Sequence, residues 1–193
     1  WTVLKSGMKF AATLLSGGLI KTNPKAFLDN TPLRDFLQNN LKLEGIQTAL
    51  DQKALRGVAI SASGYTSASA ISYFQAQEEI KNWERTRRKG VATRLDVSHL
   101  LASAALPIIF PAELIGNEYF GDGGMRMIAP LSPAIHLGAD RILIIGTRDE
   151  KPDEPSAVTA EYPSAGEIGG YLMDTIFMDR LNADLARMKR INK

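Results

Sequence analysis

The sequence predicts an α/β layered domain with a mostly parallel central sheet, and three observations carry that prediction. Leu55–Ser61 and Arg141–Gly146 are short apolar runs, and the second is continuous in the manner of a strand buried on both faces of a parallel sheet. Helical apolar spacing recurs between and after them, most extensively over Gly166–Ile191. Strand and helix signals alternate along the chain, the order that layers helices on a sheet. At 193 residues, 45% hydrophobic and 23% charged, the chain is long and apolar enough for one domain with a sizeable core.

Each element has its own signal. The first forty or so residues read as helical and loop-rich, broken at Ser16-Gly17-Gly18. A helix starts at Asn30-Thr31-Pro32, where Thr31 can cap and Pro32 occupies a first-turn position that needs no N–H. Leu33, Phe36 and Leu37 form its apolar face. The small-residue stretch Ala62–Ala70 follows the first predicted strand, and Gln75–Lys89 fits either a helix or a strand leading into one. His99–Ala105 reads as a short helix that must stop before Leu106-Pro107, because the residue preceding a proline is pushed out of the helical region. Leu114–Ile115, Gly116-Asn117 and Glu118–Phe120 form a hairpin pattern. Ser132-Pro133 repeats the cap-plus-proline start, and Gly138 closes that short helix. Thr147–Ser164 reads as a surface loop. Leu172, Ile176, Leu181, Leu185 and Met188 then make one stripe of the last helix.

Composition excludes several functions. With no cysteine there is no disulfide, thiolate metal site or cysteine nucleophile. A net charge of +2 gives no electrostatic footprint for nucleic acid. No run of 18 apolar residues spans a bilayer. Asp122, Asp140 and Asp149 lack ligand-like spacing and the two histidines are scattered, so neither a metal nor a cofactor is expected. Trp1 is not an initiator methionine and Trp1–Phe10 lacks signal-peptide architecture, so we read 1–193 as a single domain that is the C-terminal portion of a longer one.

The segment with most chemical content is Tyr119-Phe120-Gly121-Asp122-Gly123-Gly124-Met125-Arg126. Three glycines around one carboxylate present Asp122 from a sterically open turn, where it can take a proton, bind a metal or orient a partner group. An Asp-Gly turn without chemistry fits the same local grammar. His99 and His136 both sit in short helical, apolar surroundings and read as structural residues rather than triad members. The run Arg85-Thr86-Arg87-Arg88-Lys89 could meet anionic headgroups but reads first as a solvated helix end, since Glu78, Glu79 and Glu84 precede it.

The context of Asp122 is more specific than the turn. Leu101-Ala102-Ser103-Ala104-Ala105-Leu106-Pro107-Ile108-Ile109-Phe110-Pro111, the Gly-Asp-Gly-Gly segment, and Pro130-Leu131-Ser132-Pro133-Ala134-Ile135-His136-Leu137-Gly138-Ala139-Asp140 together resemble the C-terminal half of bacterial patatin-like phospholipases. Asp29-Asn30-Thr31-Pro32-Leu33 and Val58–Thr66 are also similar to that family. The resemblance implies a three-layer α/β/α domain that hydrolyses lipid acyl esters with a serine–aspartate dyad, Asp122 being the general base. It implies a cytoplasmic protein acting on lipid or acyl-ester substrates, with peripheral membrane contact.

The family's Gly-x-Ser-x-Gly elbow and glycine-rich oxyanion loop are missing. Gly64-Tyr65-Thr66-Ser67-Ala68 echoes the elbow only superficially, with threonine at its centre, and neither Ser63 nor Ser67 has the flanking glycines that a strained strand-to-helix elbow requires. We therefore expect the nucleophile in an upstream segment of the same parent protein. Two classes stand at this point: a serine acyl hydrolase whose other half lies upstream, or a catalytically inactive scaffold or interaction module. Met125, Met127, Ile128 and Phe110 are candidate acyl-chain walls.

Overall fold

The computed structural model describes residues 26–145, 162–177 and 188–190. Its elements are α1 (Thr31–Asn40), α2 (Glu44–Asp51), β1 (Gly57–Gly64), β2 (Ala70–Ala76), β3 (Trp83–Arg85), β4 (Arg88–Ala92), α3 (Val97–Ser103), β5 (Glu113–Ile115) and β6 (Glu118–Asp122). A 3₁₀ turn over Gly123–Met125, α4 (Ser132–His136) and α5 (Ala165–Phe177) follow. The Ser16-Gly17-Gly18 break, residues 147–161 of the expected loop and residues 178–187 of the expected last helix lie outside the described residues. Residues 188–190 are again helical.

The six strands form one mixed sheet in the order β3-β4-β2-β1-β6-β5. Only β2 and β4 run parallel; the other four pairings are antiparallel. The expectation of a mostly parallel sheet is therefore corrected for these residues. Short connections explain three of these four: residues 65–69, 86–87 and 116–117 are too few for a crossover, so each joins antiparallel neighbours. Gln75–Lys89 is neither a helix nor the approach to one. It contains the end of β2, β3 and the start of β4, and the basic run forms a hairpin turn with Arg87 at φ 58.

The second predicted strand is also corrected. Residues 141–145 form no strand, with Leu143 85% and Ile145 86% exposed. An apolar run becomes a central strand only when ladder partners flank it, and no described segment pairs with this one.

Successive strand residues face opposite sides, which divides the sheet into two surfaces. One carries Ala62, Ile71, Tyr73 and Phe120, which pack with Leu95 and Ala102 as the main core beneath α3. The other carries Phe74, whose ring stacks on Trp83 at 4.8 Å, and Trp83 in turn stacks on His136 of α4 at 4.5 Å. Gly90 is open so that the Trp83 ring can lie directly across it.

Both proline-marked helices begin one residue away from the expected cap. Thr31 is the first residue of α1, and Asp29 Oδ1 accepts from its N–H (3.0 Å) and its hydroxyl (2.6 Å). Ser132 is the first residue of α4, which ends before Gly138 at φ 82, as expected. The face of α1 is exposed, with Leu33 42% and Phe36 60% accessible. Its attachment is polar: buried Glu113 of β5 accepts from Arg34 Nη2 at 2.5 Å and from Asn30 Nδ2 at 3.1 Å.

Candidate active site

Asp122 is the last residue of β6, and its position is fixed from both sides of the chain. Its N–H donates to Ala105 O at 2.9 Å, tying the strand end to the segment leaving α3. Its Oδ1 accepts from Gly124 N–H at 2.7 Å, which turns the backbone sharply into the 3₁₀ segment. Gly123 has to be glycine: a Cβ there would collide with the Ser61 carbonyl oxygen of β1. Ser63 Oγ donates to Gly123 O at 3.3 Å and holds the same turn from beneath.

Asp122 is half-buried, and burial raises its carboxyl pKa above the ordinary value, opposed in smaller measure by the Gly124 N–H. Among the described residues Oδ2 has no hydrogen-bond partner, and none of their fully buried side-chain polar atoms lacks one. Oδ2 is therefore open to a proton donor. One oxygen is anchored and the other is available, an arrangement suited to receiving a proton at a fixed place.

Among the described residues, the serines of β1, β2 and the turn joining them make other contacts. Ser63 is 2% exposed and committed to Gly123 O, while Ser61 Oγ and Ser72 Oγ share a hydrogen bond of 3.0 Å. Ser67 stands in the β1–β2 turn, where Glu118 Oε1 accepts from Thr66 N–H (2.8 Å) and Ser67 N–H (2.6 Å). None of these serines makes a hydrogen bond to Asp122 among the described contacts.

Both histidines take the structural role expected of them. His99 closes a capping box: Asp96 Oδ1 accepts from the Ser98 and His99 N–H groups, and His99 Nδ1 accepts from Asp96 N–H. Its ring packs edge-on against Tyr73 at 4.7 Å. His136 lies in the Trp83 stack. Burial lowers its pKa, helped by the positive charges of Arg85 and Arg88. Neither ring bonds Asp122.

Of the candidate acyl walls, Met127 is buried, Met125 and Phe110 are half-buried, and Ile128 is 62% exposed. A groove of about 870 Å³ opens elsewhere, beside the ends of β2 and β4, lined by Gln47, Gln75, Lys81, Asn82 and Arg94 among others. Asp122 is not part of it, and its polar lining is already hydrogen-bonded internally at Gln47, Gln75 and Asn82.

Sequence reasoning missed two contacts at the β1–β6 pairing, Glu118 on the β1–β2 turn and Tyr65 over Gly121. Gly64 and Gly121 were the available signal, since glycine inside a strand marks a close approach by another group.

No helix among the described residues is long and apolar enough to cross a membrane. No curated relative and no solved structure matches the chain. A family model described as patatin-like phospholipase matches residues 4–135, a span containing the whole sheet, α3 and Asp122. That is a family of lipid acyl hydrolases, and the chain belongs to the patatin-like phospholipase family.

Proposed function

We propose that this chain supplies the general base of a serine-dependent lipid acyl hydrolase, with Asp122 as the base and the nucleophilic serine contributed by an upstream segment of the same polypeptide. The observation that carries this reading is the asymmetric carboxylate, with Oδ1 anchored by Gly124 N–H and Oδ2 without a partner among the described residues. Family membership supports the reaction class.

The chemistry follows from relative acidity. A carboxylate with a reference pKa of about 4 cannot hold an appreciable amount of serine alkoxide at equilibrium. It takes the Oγ proton as the Oγ–carbon bond forms and negative charge moves to the ester carbonyl oxygen. That charge needs backbone N–H donors, expected from the upstream segment. As the carbon–alcohol bond breaks, Asp122 returns the proton to the leaving oxygen. Water then repeats the sequence: Oδ2 accepts its proton, the hydroxyl adds to the acyl carbon, and serine leaves with the proton. Burial assists, because a carboxyl held above its ordinary pKa is the stronger base. No histidine is required.

Asp122→Asn keeps the shape and removes the base. In the full parent protein it is expected to lower kcat on a p-nitrophenyl ester by at least about 10²-fold. Its melting temperature at pH 7 should not fall. A buried carboxyl whose pKa is raised on folding costs stability when ionised, and the amide removes that cost. Near-normal turnover in the Asn variant would remove Asp122 from the mechanism, whereas no ester turnover by the unmutated parent protein would leave the inactive-scaffold reading.

A further inference from the structure

Two glycines stand on opposite faces of the β1–β6 pairing, one residue out of register, and side chains close over each, Ser67 and Glu118 over Gly64 and Tyr65 over Gly121. Gly64 ends β1, and a Cβ there would lie 2.5 Å from Glu118 Oε1 of β6. Gly121 of β6 pairs with Ser63, and a Cβ there would lie 2.7 Å from the Tyr65 hydroxyl and 3.0 Å from Tyr65 Cζ. Glu118 reaches through the first opening to take the Thr66 and Ser67 N–H groups. Tyr65, from the turn that Glu118 holds, lies across the second, with its own N–H donating to Tyr119 O at 3.1 Å. The two contacts are reciprocal: β6 grips the turn through Glu118, and the turn presses on β6 through Tyr65.

Where this lock bears is the point of interest. Gly121 is the residue before Asp122, and successive strand residues face opposite sides. Asp122 pairs with Ala62 on the α3 side of the sheet, so the Tyr65 ring backs the strand on the side away from that face. We propose that Tyr65, seated by Glu118, is a positioning residue that holds the β6 backbone against displacement when Asp122 takes and returns its proton. This rests on the reading of Asp122 as the base. The closeness of the two groups has an electrostatic trace as well: Tyr65's pKa is raised mainly by burial and further by the negative charge of Asp122.

The side chain acts through its ring, since the Tyr65 hydroxyl makes no hydrogen bond among the described residues. Misplacing a catalytic group by about 1 Å can cost about 10²-fold in rate. Partial release of a strand still held by β1 and Ala105 should cost less, about 10-fold.

The test is a kinetic cycle in the full parent protein with a p-nitrophenyl ester. Tyr65→Ala and Glu118→Ala are each expected to lower kcat about 10-fold with KM within about 2-fold. Tyr65→Phe should recover most of the Tyr65→Ala loss. In an Asp122→Asn background Tyr65→Ala should cost nothing further, because a residue acting through Asp122 has nothing left to position. The proposal is overturned if Tyr65→Ala retains kcat, if its loss persists undiminished in the Asn background, or if Tyr65→Phe loses as much as Tyr65→Ala. Wild-type turnover by Asp122→Asn alone removes the base and the lock together. A 10²-fold loss in Asp122→Asn with full kcat in Tyr65→Ala removes only the lock.

Discussion

The two ends of the sheet are held by opposite kinds of force. At the β5–β6 end the contacts are directional: Glu113 accepts from Arg34 and Asn30, Glu118 accepts from the β1–β2 turn, and Asp122 is bonded through its N–H and its Oδ1. At the β3–β4 end the hairpin is pinned to the rest of the molecule by faces of rings, Phe74 on Trp83 on His136, laid across Gly90, while its directional contacts, Glu84 with Lys89 and Asn82 with Ala92, stay exposed and local. Stacked rings tolerate sliding at little cost, whereas a hydrogen bond weakens steeply with angle and distance. The difference teaches where precision has been placed. The end that carries the carboxylate is fixed by bonds that specify position, and the other end by area.

The largest effect that would break this contrast is expected from Glu113→Ala. It leaves Asn30 and Arg34 without their shared acceptor and frees the otherwise exposed α1. Because Arg34 is about one-third exposed and can hydrate, the loss should be about 2–3 kcal/mol, below the full cost of orphaning a buried charge. Denaturant unfolding measures it, and amide exchange in Thr31–Asn40 should rise with it. A loss below about 0.5 kcal/mol would show that the directional end is not held by this pair.

A smaller effect, of opposite sign, is expected in the loop joining α3 to β5. Ile108 sits at φ 71 with its side chain 54% exposed, a conformation that a β-branched residue adopts only under strain. Its carbonyl accepts from Phe27 N–H at 2.8 Å, so the backbone is held there by position-specific bonds. Ile108→Gly should relieve that strain, partly offset by a freer unfolded chain, for a net gain of about 0.5–1 kcal/mol. Unfolding midpoints that fall would place the strain elsewhere.

The smallest effect belongs to the stacked end and depends on pH. His136 has a lowered pKa, from burial first and then from Arg85 and Arg88. The folded state therefore prefers the neutral ring. Its contribution is present above the unfolded pKa of about 6.5 and is lost as pH falls through the lower folded value. Melting temperatures of wild type and His136→Phe at pH 7.5 and 5.5 should show the wild type losing more on acidification. Equal losses would mean that the ring is not desolvated by the stack.

What the sequence made legible was local. Gly116-Asn117 and Ser132-Pro133…Gly138 each carry their signal within a few residues, and both elements stand where expected, within one residue at the α4 start. Leu106-Pro107 likewise marked the end of α3. The β3–β4 hairpin was illegible because its turn uses Thr86-Arg87, with arginine rather than glycine or asparagine in the left-handed region. Sheet direction was misread because Leu55–Ser61 states that a strand is apolar, not which neighbour it takes. β1 takes an antiparallel partner on each side. Asp122 was legible from its glycine frame. Tyr65 and Glu118 were not, because their partners lie more than fifty positions away in the chain.

That remoteness sets the order in which the molecule can assemble. The bonds around the acidic turn span 83 residues for Asn30–Glu113, 60 for Ser63–Gly123 and 52 for Thr66–Glu118. Closing such loops costs chain entropy before any contact returns it, so contacts of this kind form late and slowly. The hairpins β3–β4 and β5–β6 can close first, each on two residues of turn. The carboxylate gains its fixed place only after both distant strands have met, so a chain arrested early would contain every strand-forming segment and still lack the anchored acidic turn.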